Sequence, residues 1–288
     1  MKDQAESLRL KLTSSEKNSR TKAIAVVSGK GGVGKSNLSL NFSLSLAKSG
    51  SSVLLLDMDI GMGNIDILMG RTSDKTIVDY LSGASSLKDV VLEGLGGIHY
   101  IAGGSGLSRL VKMEESHVQV LFEEMDTLLG GYDYLIFDMG AGINEESLKF
   151  LLSVDEIFVV TTPEPTSIMD AYATIKYLHL VNPEIPFYLI VNKVQTSNDG
   201  KDTLQRLSNV LKRFLDREAI SLGSIPDDRT IQQAVSRQIP FLNFNPKSAA
   251  SKALEEITTR YKQAQFTEQS SLPKIPFVTK LKKFFFER

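Results

Sequence analysis

Short runs of apolar residues recur along this chain, and longer stretches with apolar positions every three or four residues lie between them. The runs are 23–28 (AIAVVS), 53–57 (VLLLD), 98–102, 134–138 (YLIFD), 156–161 (EIFVVT), 186–192 (PFYLIVN) and 220–225. Each is too short for a buried helix and almost without polar alternation, which predicts strands covered on both faces. The intervening segments 37–48, 114–129, 167–180, 203–215, 228–235 and 248–261 carry the helical period. Strands alternating with helices of this length predict an α/β fold: a mostly parallel sheet with helices on both faces. No repeat or internal linker interrupts 23–261, so one domain is expected. It is flanked by an arm (1–22), a polar linker (262–273) and a terminal segment (274–288).

The glycine-rich turn after the first strand adds chemistry to this pattern. Residues 29–36 read GKGGVGKS, which fits G-x-x-x-x-G-K-[ST] and sits between a strand and a helix as a phosphate loop must. Glycines let backbone N–H groups converge on an anion, and the helix N-terminus adds partial positive charge. Gly29, Lys30, Gly31, Gly32, Val33, Gly34, Lys35 and Ser36 are therefore the candidate phosphate cradle. Lys35 supplies a point charge to the outer phosphates, and the Ser36 hydroxyl suits Mg²⁺, which takes hard oxygen ligands. Two strands end in acids, at Asp57 (with Asp59 just beyond it) and at Asp138. The carboxyl ends of parallel strands line the ligand crevice, so these acids are placed to hold a cation or its water.

The extra lysine at position 30 makes the loop more particular: K-G-G-x-G-K-S resembles the deviant Walker A ATPases, the family of MinD and ParA, P-loop NTPases of the SIMIBI type. The resemblance implies ATP/ADP with Mg²⁺ and slow hydrolysis in a face-to-face homodimer. In it Lys30 would reach the partner's phosphates as an arginine finger does. The run DMDIGMGNIDILMG resembles the family's switch I and assigns Asp59 to the attacking water and Mg²⁺, with Asp57 supporting the site. Asp138 is the switch II acid. Relatives often read D-x-P-x-G there, whereas this chain reads D-M-G-A-G. The family reads adenine with an asparagine after a late strand and a Pro-Asp turn, which point to Asn192, Pro226 and Asp227. Asn192 is followed by Lys-Val-Gln rather than the Lys-x-Asp of guanine-binding proteins, which favours ATP.

The two ends carry separate signals. On a helix, Phe277, Val278, Leu281, Phe284 and Phe285 share one face while Lys280, Lys282 and Lys283 fall elsewhere, an interfacial membrane-binding pattern. The start, D-Q-A-E-S-L-R, resembles the arm of the FlhG branch (also called YlxH or FleN) of MinD-like ATPases. That branch controls flagellar number and placement. The resemblance assigns Asp3, Gln4, Leu8 and Arg9 to stimulation of an FlhF-type GTPase, and implies flagellar basal-body proteins and anionic lipid as further partners.

Charge and composition narrow the alternatives. The net charge is −1 while residues 1–22 carry +3 and 262–288 carry +4, so basic ends flank an acidic body. That body argues against a ParA-type DNA-partitioning role, which needs a basic patch; no specific nucleic acid is expected. The arm argues against a MinD-type regulator of division sites. The absence of cysteine excludes disulfides, thiolate chemistry and a cysteine-bound iron–sulfur cluster. The polar start lacks a secretory pattern and no apolar run is long enough to span a membrane. The expected location is the cytoplasm, reversibly peripheral on the inner face of the cell membrane.

Overall fold

The structure is a computed structural model that describes residues 21–59, 63–103, 115–267 and 275–286. The chain runs β1 (Lys22–Val27), α1 (Lys35–Lys48), β2 (Val53–Met58), α2 (Ile65–Met69), α3 (Ile77–Leu81), α4 (Leu87–Val90), β3 (Val91–Glu93), β4 (His99–Ile101), α5 (Glu115–Leu129), β5 (Tyr134–Met139), α6 (Glu145–Ser153), β6 (Glu156–Thr161), α7 (Pro165–Val181), β7 (Phe187–Val194), α8 (Ser197–Leu215), β8 (Ile220–Pro226), α9 (Arg229–Ser236), α10 (Phe241–Phe244), α11 (Ala249–Thr267) and α12 (Phe277–Phe286). The strands form one sheet in the order β3-β4-β2-β5-β1-β6-β7-β8. Every pairing is parallel except β3 with β4, which closes one edge antiparallel.

The pleat divides the core into two layers. Ala23, Ala25 and Val27 of β1 face the layer made by α5, α6, α7, α8 and α12. Ile24 and Val26 face the layer made by α1, α2, α9, α10 and α11. Both faces of the sheet are thus buried, which is why its strands read as continuous apolar runs.

Helix α1 lies where the sequence reading expects a helix, although a second pattern runs through it. Its sequence, KSNLSLNFSLSLAK, alternates leucine with serine as a half-buried strand would. The helix forms because it continues the phosphate loop into the core, where it is buried on nearly every side. Its polar side chains are satisfied: Asn41 donates to the Asn37 carbonyl and Ser43 to that of Ser39, at 2.8 and 2.7 Å, and Ser39 shares its one hydroxyl proton between the Lys35 carbonyl at 3.1 Å and Asp138. Such bonds to the preceding turn let serine and asparagine lie in a helix interior without an unpaired polar group.

One boundary and one packing arrangement differ from the sequence reading. Residues 262–267, expected to open a linker, are the last turns of α11, which runs to Thr267. Gln265 holds that last turn down by donating to buried Glu156 at 2.8 Å and to Tyr188 at 3.1 Å, so polar residues that look like linker are paired.

The second difference is larger. The terminal helix α12 forms as expected, but its apolar face is packed on the protein itself. Phe277, Val278 and Leu281 are buried in the core layer, and Phe285 packs beside them. Phe277 lies against Phe137 with ring centres 5.1 Å apart, and Phe285 meets Phe122 edge-on at 5.6 Å. Lys149 of α6 sits over the Phe285 ring. Phe284, expected on the same apolar face, is exposed. An amphipathic stripe buries equally well in a protein groove or a bilayer surface, and here the groove between α5 and α6 takes it. No helix among the described residues is long and apolar enough to cross a membrane.

Candidate nucleotide site

The carboxyl ends of β1, β2, β5, β7 and β8 surround a cavity of about 700 Å³. Its floor is the turn from β1 to α1. Gly32 and Gly34 have φ of +77° and +91°, the left-handed region in which glycine carries no steric cost. Gly34 is held to glycine twice over, since a Cβ there would meet the Asn192 amide nitrogen at 2.3 Å. Gly29 is also confined: a Cβ would collide with the Asp170 backbone of α7 at 2.3 Å. Close approach of α7 and β7 thus fixes two of the motif glycines, while positive φ fixes the turn.

Of the expected cradle, Gly31, Gly32, Gly34, Lys35 and Ser36 line the cavity, and Asp59, Asn192, Pro226 and Asp227 join them. Val33 is buried beneath. The Lys35 ammonium lies 2.9 Å from Asp138 Oδ1, which also accepts from the Ser39 hydroxyl at 2.9 Å. Asp138 is fully buried, and its Oδ2 has no hydrogen-bond partner. Asn192 donates its amide to the Val33 carbonyl at 2.8 Å, leaving its buried Oδ1 unpartnered. Buried polar atoms are rarely left unpaired. One orphan lies behind the lysine of the phosphate loop and the other beside the loop's last glycine. Ser36 and Asp59 line the cavity and carry hard oxygens of the kind that suits Mg²⁺, while Asp138 lies behind them on Lys35. Asn192 lines the cavity, and a side-chain amide oxygen without a partner suits the exocyclic amine of adenine.

The paired aspartates have different tasks. Asp57 and Asp138 are neighbours across β2 and β5. Asp57 Oδ1 accepts the Asp59 amide at 3.0 Å, and Oδ2 accepts the amides of Asn64 and Ile65 at 2.8 and 3.2 Å. Its oxygens are committed to the backbone, so Asp57, read from sequence as a metal ligand, holds the switch I loop in place. Residues 60–62 of that loop lie outside the described residues. Asp59 points to switch II, where a Cβ on Gly140 would lie 3.4 Å from Asp59 Oδ1. The glycine in D-M-G-A-G is therefore where the two switches meet.

Burial, with the charge of Asp138 adding to it, raises the Asp57 carboxyl to about 6 despite its backbone hydrogen bonds. The folded protein then binds more protons than the unfolded chain between about pH 4 and 6. The contribution of Asp57 to stability falls as pH rises through that window, by an amount on the order of 2–3 kcal/mol when complete. Asp57→Asn is expected to remove this decline. Urea midpoints at pH 4.5 and 7 in both proteins measure it, and parallel slopes would refute the assignment.

Three contacts at the site were not legible from motifs. Lys30, exposed on the loop, is ion-paired with Glu164 at 2.9 Å. Glu164 is the N-cap position of α7, and the only hint in sequence is an acid before the helix-starting Pro165. Lys193 adopts φ +57° and donates to the Gly32 carbonyl at 2.8 Å. Gln195 donates to Asp227 at 2.9 Å, tying the strand carrying Asn192 to the Pro-Asp turn. The sequence places Asn192 and Asp227 far apart, and only the pairing of β7 with β8 joins them. The arm residues Asp3, Gln4, Leu8 and Arg9 lie outside the described residues.

With this geometry established, known proteins supply the family. The model described as "ParA: NUBPL iron-transfer P-loop NTPase" matches residues 19–262. This chain belongs to the ParA family. Within it, antiactivator FleN of Pseudomonas aeruginosa is 35% identical over 237 residues, covering 82% of this chain and 85% of that protein. The flagellum site-determining protein YlxH of Helicobacter pylori is 33% identical over 243 residues, covering 84% and 82%. Among solved structures, MinD of Pyrococcus horikoshii, complexed with Mg-ADP, superposes with a TM-score of 0.68 at 24% identity, covering 87% of this chain and all of that one. The fold class read from the hydrophobic pattern and the resemblance to the FleN/YlxH branch of the MinD/ParA ATPases are both borne out. The chain is a P-loop ATPase of that family.

Proposed function

We propose that this protein is a slow, dimerisation-dependent ATPase that reports its nucleotide state by attaching to the membrane, and so regulates flagellar number or placement. The observation that carries the reading is the contact chain from site to tail. Asp138 lies beside the phosphate-loop lysine, the D-M-G-A-G turn follows it, α6 follows the turn, and α12 packs on α6. A rearrangement of switch II around ATP therefore reaches the groove that covers the terminal helix.

In this reading the loop amides and Lys35 bind the phosphates, and Asn192, Pro226 and Asp227 receive the adenine. Ser36, Asp59 and Asp138 would hold Mg²⁺, which would supply charge neutralisation at the phosphates. Asp59 orients the attacking water. Lys30 leaves Glu164 and crosses to the phosphates of a second copy, making a homodimer with ATP. Helix α12 then leaves its groove and lays its apolar face on anionic lipid, with Lys280, Lys282 and Lys283 at the headgroups. One helix of this length binds weakly; the two in a dimer gain avidity, so dimerisation and attachment rise together.

The flagellar assignment rests on the FleN and YlxH likeness and on the D-Q-A-E-S-L-R arm, which would stimulate an FlhF-type GTPase through Asp3, Gln4, Leu8 and Arg9. Flagellar basal-body proteins are the expected further partners. GTP hydrolysis by purified FlhF-type GTPase, with the full chain and with a chain lacking residues 1–22, tests it. Stimulation of tenfold or more that disappears with the arm is expected. No stimulation by either protein would favour a MinD-type regulator of division sites.

A further inference from the structure

Two consecutive acids at the entrance to β6 gather distant parts of the chain. Glu156 Oε1 accepts from Lys22 and Gln265, and its Oε2 accepts from the Tyr261 hydroxyl at 2.7 Å. Asp155 Oδ2 accepts the Ala23 amide at 2.9 Å, and Oδ1 accepts the Lys280 ammonium of α12 at 2.6 Å. The Asp155 side chain is 8% exposed and that of Lys280 is 26%. Lys280 also reaches the Val154 carbonyl, at 3.5 Å.

We propose that Asp155 is an ion latch for helix α12, and that it sets how much surface negative charge is needed to draw the helix out of its groove. The latch stands on the docked geometry alone; its consequence at lipid rests on the membrane reading above.

The apolar contacts of α12 do not distinguish a groove from a bilayer, since Phe277, Val278 and Leu281 are desolvated in either place. The lysines do distinguish them. Lys283 is exposed on the docked helix and is equally hydrated before and after release. Lys282 lies near Asp126 of α5, whose carboxyl feels its charge, and Asp126 is itself only partly buried. Lys280 is different because its partner is both buried and immobile. The Ala23 amide fixes the Asp155 carboxylate before the lysine arrives. The pair therefore loses less side-chain freedom than an exposed ion pair, whose net contribution is often near zero. Releasing α12 strands a desolvated carboxylate at the base of β6 unless water enters. An anionic headgroup offers Lys280 a replacement charge, whereas a zwitterionic surface does not.

The test uses the full chain, without nucleotide for hydrogen exchange and with Mg-ATP for vesicle binding, comparing wild type, Asp155→Asn and Lys280→Met. Asparagine keeps an acceptor for the Ala23 amide, and Lys280→Met leaves Asp155 and the strand untouched, so one variant remains informative if the other is unstable. Hydrogen exchange of residues 277–286 in solution is expected to quicken about tenfold in both variants, while exchange of the sheet is unchanged. Binding to phosphatidylcholine vesicles containing 0–40 mol% phosphatidylglycerol, a range of roughly the charge found on anionic leaflets, should need less phosphatidylglycerol for Asp155→Asn than for wild type. Unchanged exchange of α12 in both variants would overturn the latch. Faster exchange with no vesicle binding at any composition would uphold the latch and overturn the membrane reading.

Discussion

Asp59→Ala is expected to lower ATP turnover at least 100-fold while leaving nucleotide affinity nearly intact. The size follows from the task assigned to the residue: a side chain that positions or deprotonates the nucleophile contributes roughly 10²–10⁴ in rate. Affinity is largely spared because loop amides and Lys35 hold the phosphates and Ser36 and Asp138 remain for Mg²⁺. The Asp59 backbone amide, which Asp57 accepts, survives the substitution. The variant should therefore accumulate as an ATP dimer that does not turn over. Single-turnover hydrolysis with a size measurement in the same buffer reads both effects. Turnover within twofold of wild type would remove Asp59 from the chemistry.

Lys30→Ala is expected to abolish ATP-dependent dimerisation and, with it, at least 100-fold of the hydrolysis, while ADP binding changes less than threefold. A cation supplied across an interface contributes 10³–10⁵ to phosphoryl transfer in related enzymes. In the single chain Lys30 does not line the cavity; it stands outside, paired with Glu164 and half exposed. That pair is open to solvent and contributes little to stability, so exchanging it for a partner's phosphates costs little. Light scattering with ATP and with ADP gives the dimer fraction, and fluorescent ADP gives the affinity. A variant that still dimerises with ATP would show that Lys30 serves its own subunit only.

Much of this architecture was legible because parallel strands buried on both faces leave uninterrupted apolar runs. All seven expected strands lie at the sequence positions read for them to within two residues at either end, β4 being shorter by one residue at each end. What escaped reading was short or context-dependent. Helices α2, α3, α4 and α10 have four or five residues, too few for a helical period to show. Edge strand β3 has three residues and exists through pairing with β4. Helix α6 escaped although Asn144 caps it, its side chain accepting from the Ser147 amide at 2.7 Å.

The site divides in the same way. The phosphate loop is local, so eight consecutive residues announce it. Glu164, Lys193 and Gln195 act through contacts between elements distant in sequence, and no spacing rule reports those. Asp57 looked like a second metal ligand because it ends a strand; the three amides that occupy it belong to a loop whose path the sequence does not define. The terminal helix is the instructive case. Its amphipathic face was read correctly but for Phe284, yet the face specifies only that something apolar covers it. The groove between α5 and α6 does so in this structure, and Asp155 waits at its end for Lys280.

The central claim is that nucleotide decides whether this helix is covered by protein or by lipid. Co-sedimentation of the full chain with phosphatidylglycerol-containing vesicles, in Mg-ATP and in Mg-ADP, tests it most directly. The account predicts binding with ATP, release with ADP, and no binding in either when residues 275–288 are removed. Equal binding of the full chain with both nucleotides would contradict it.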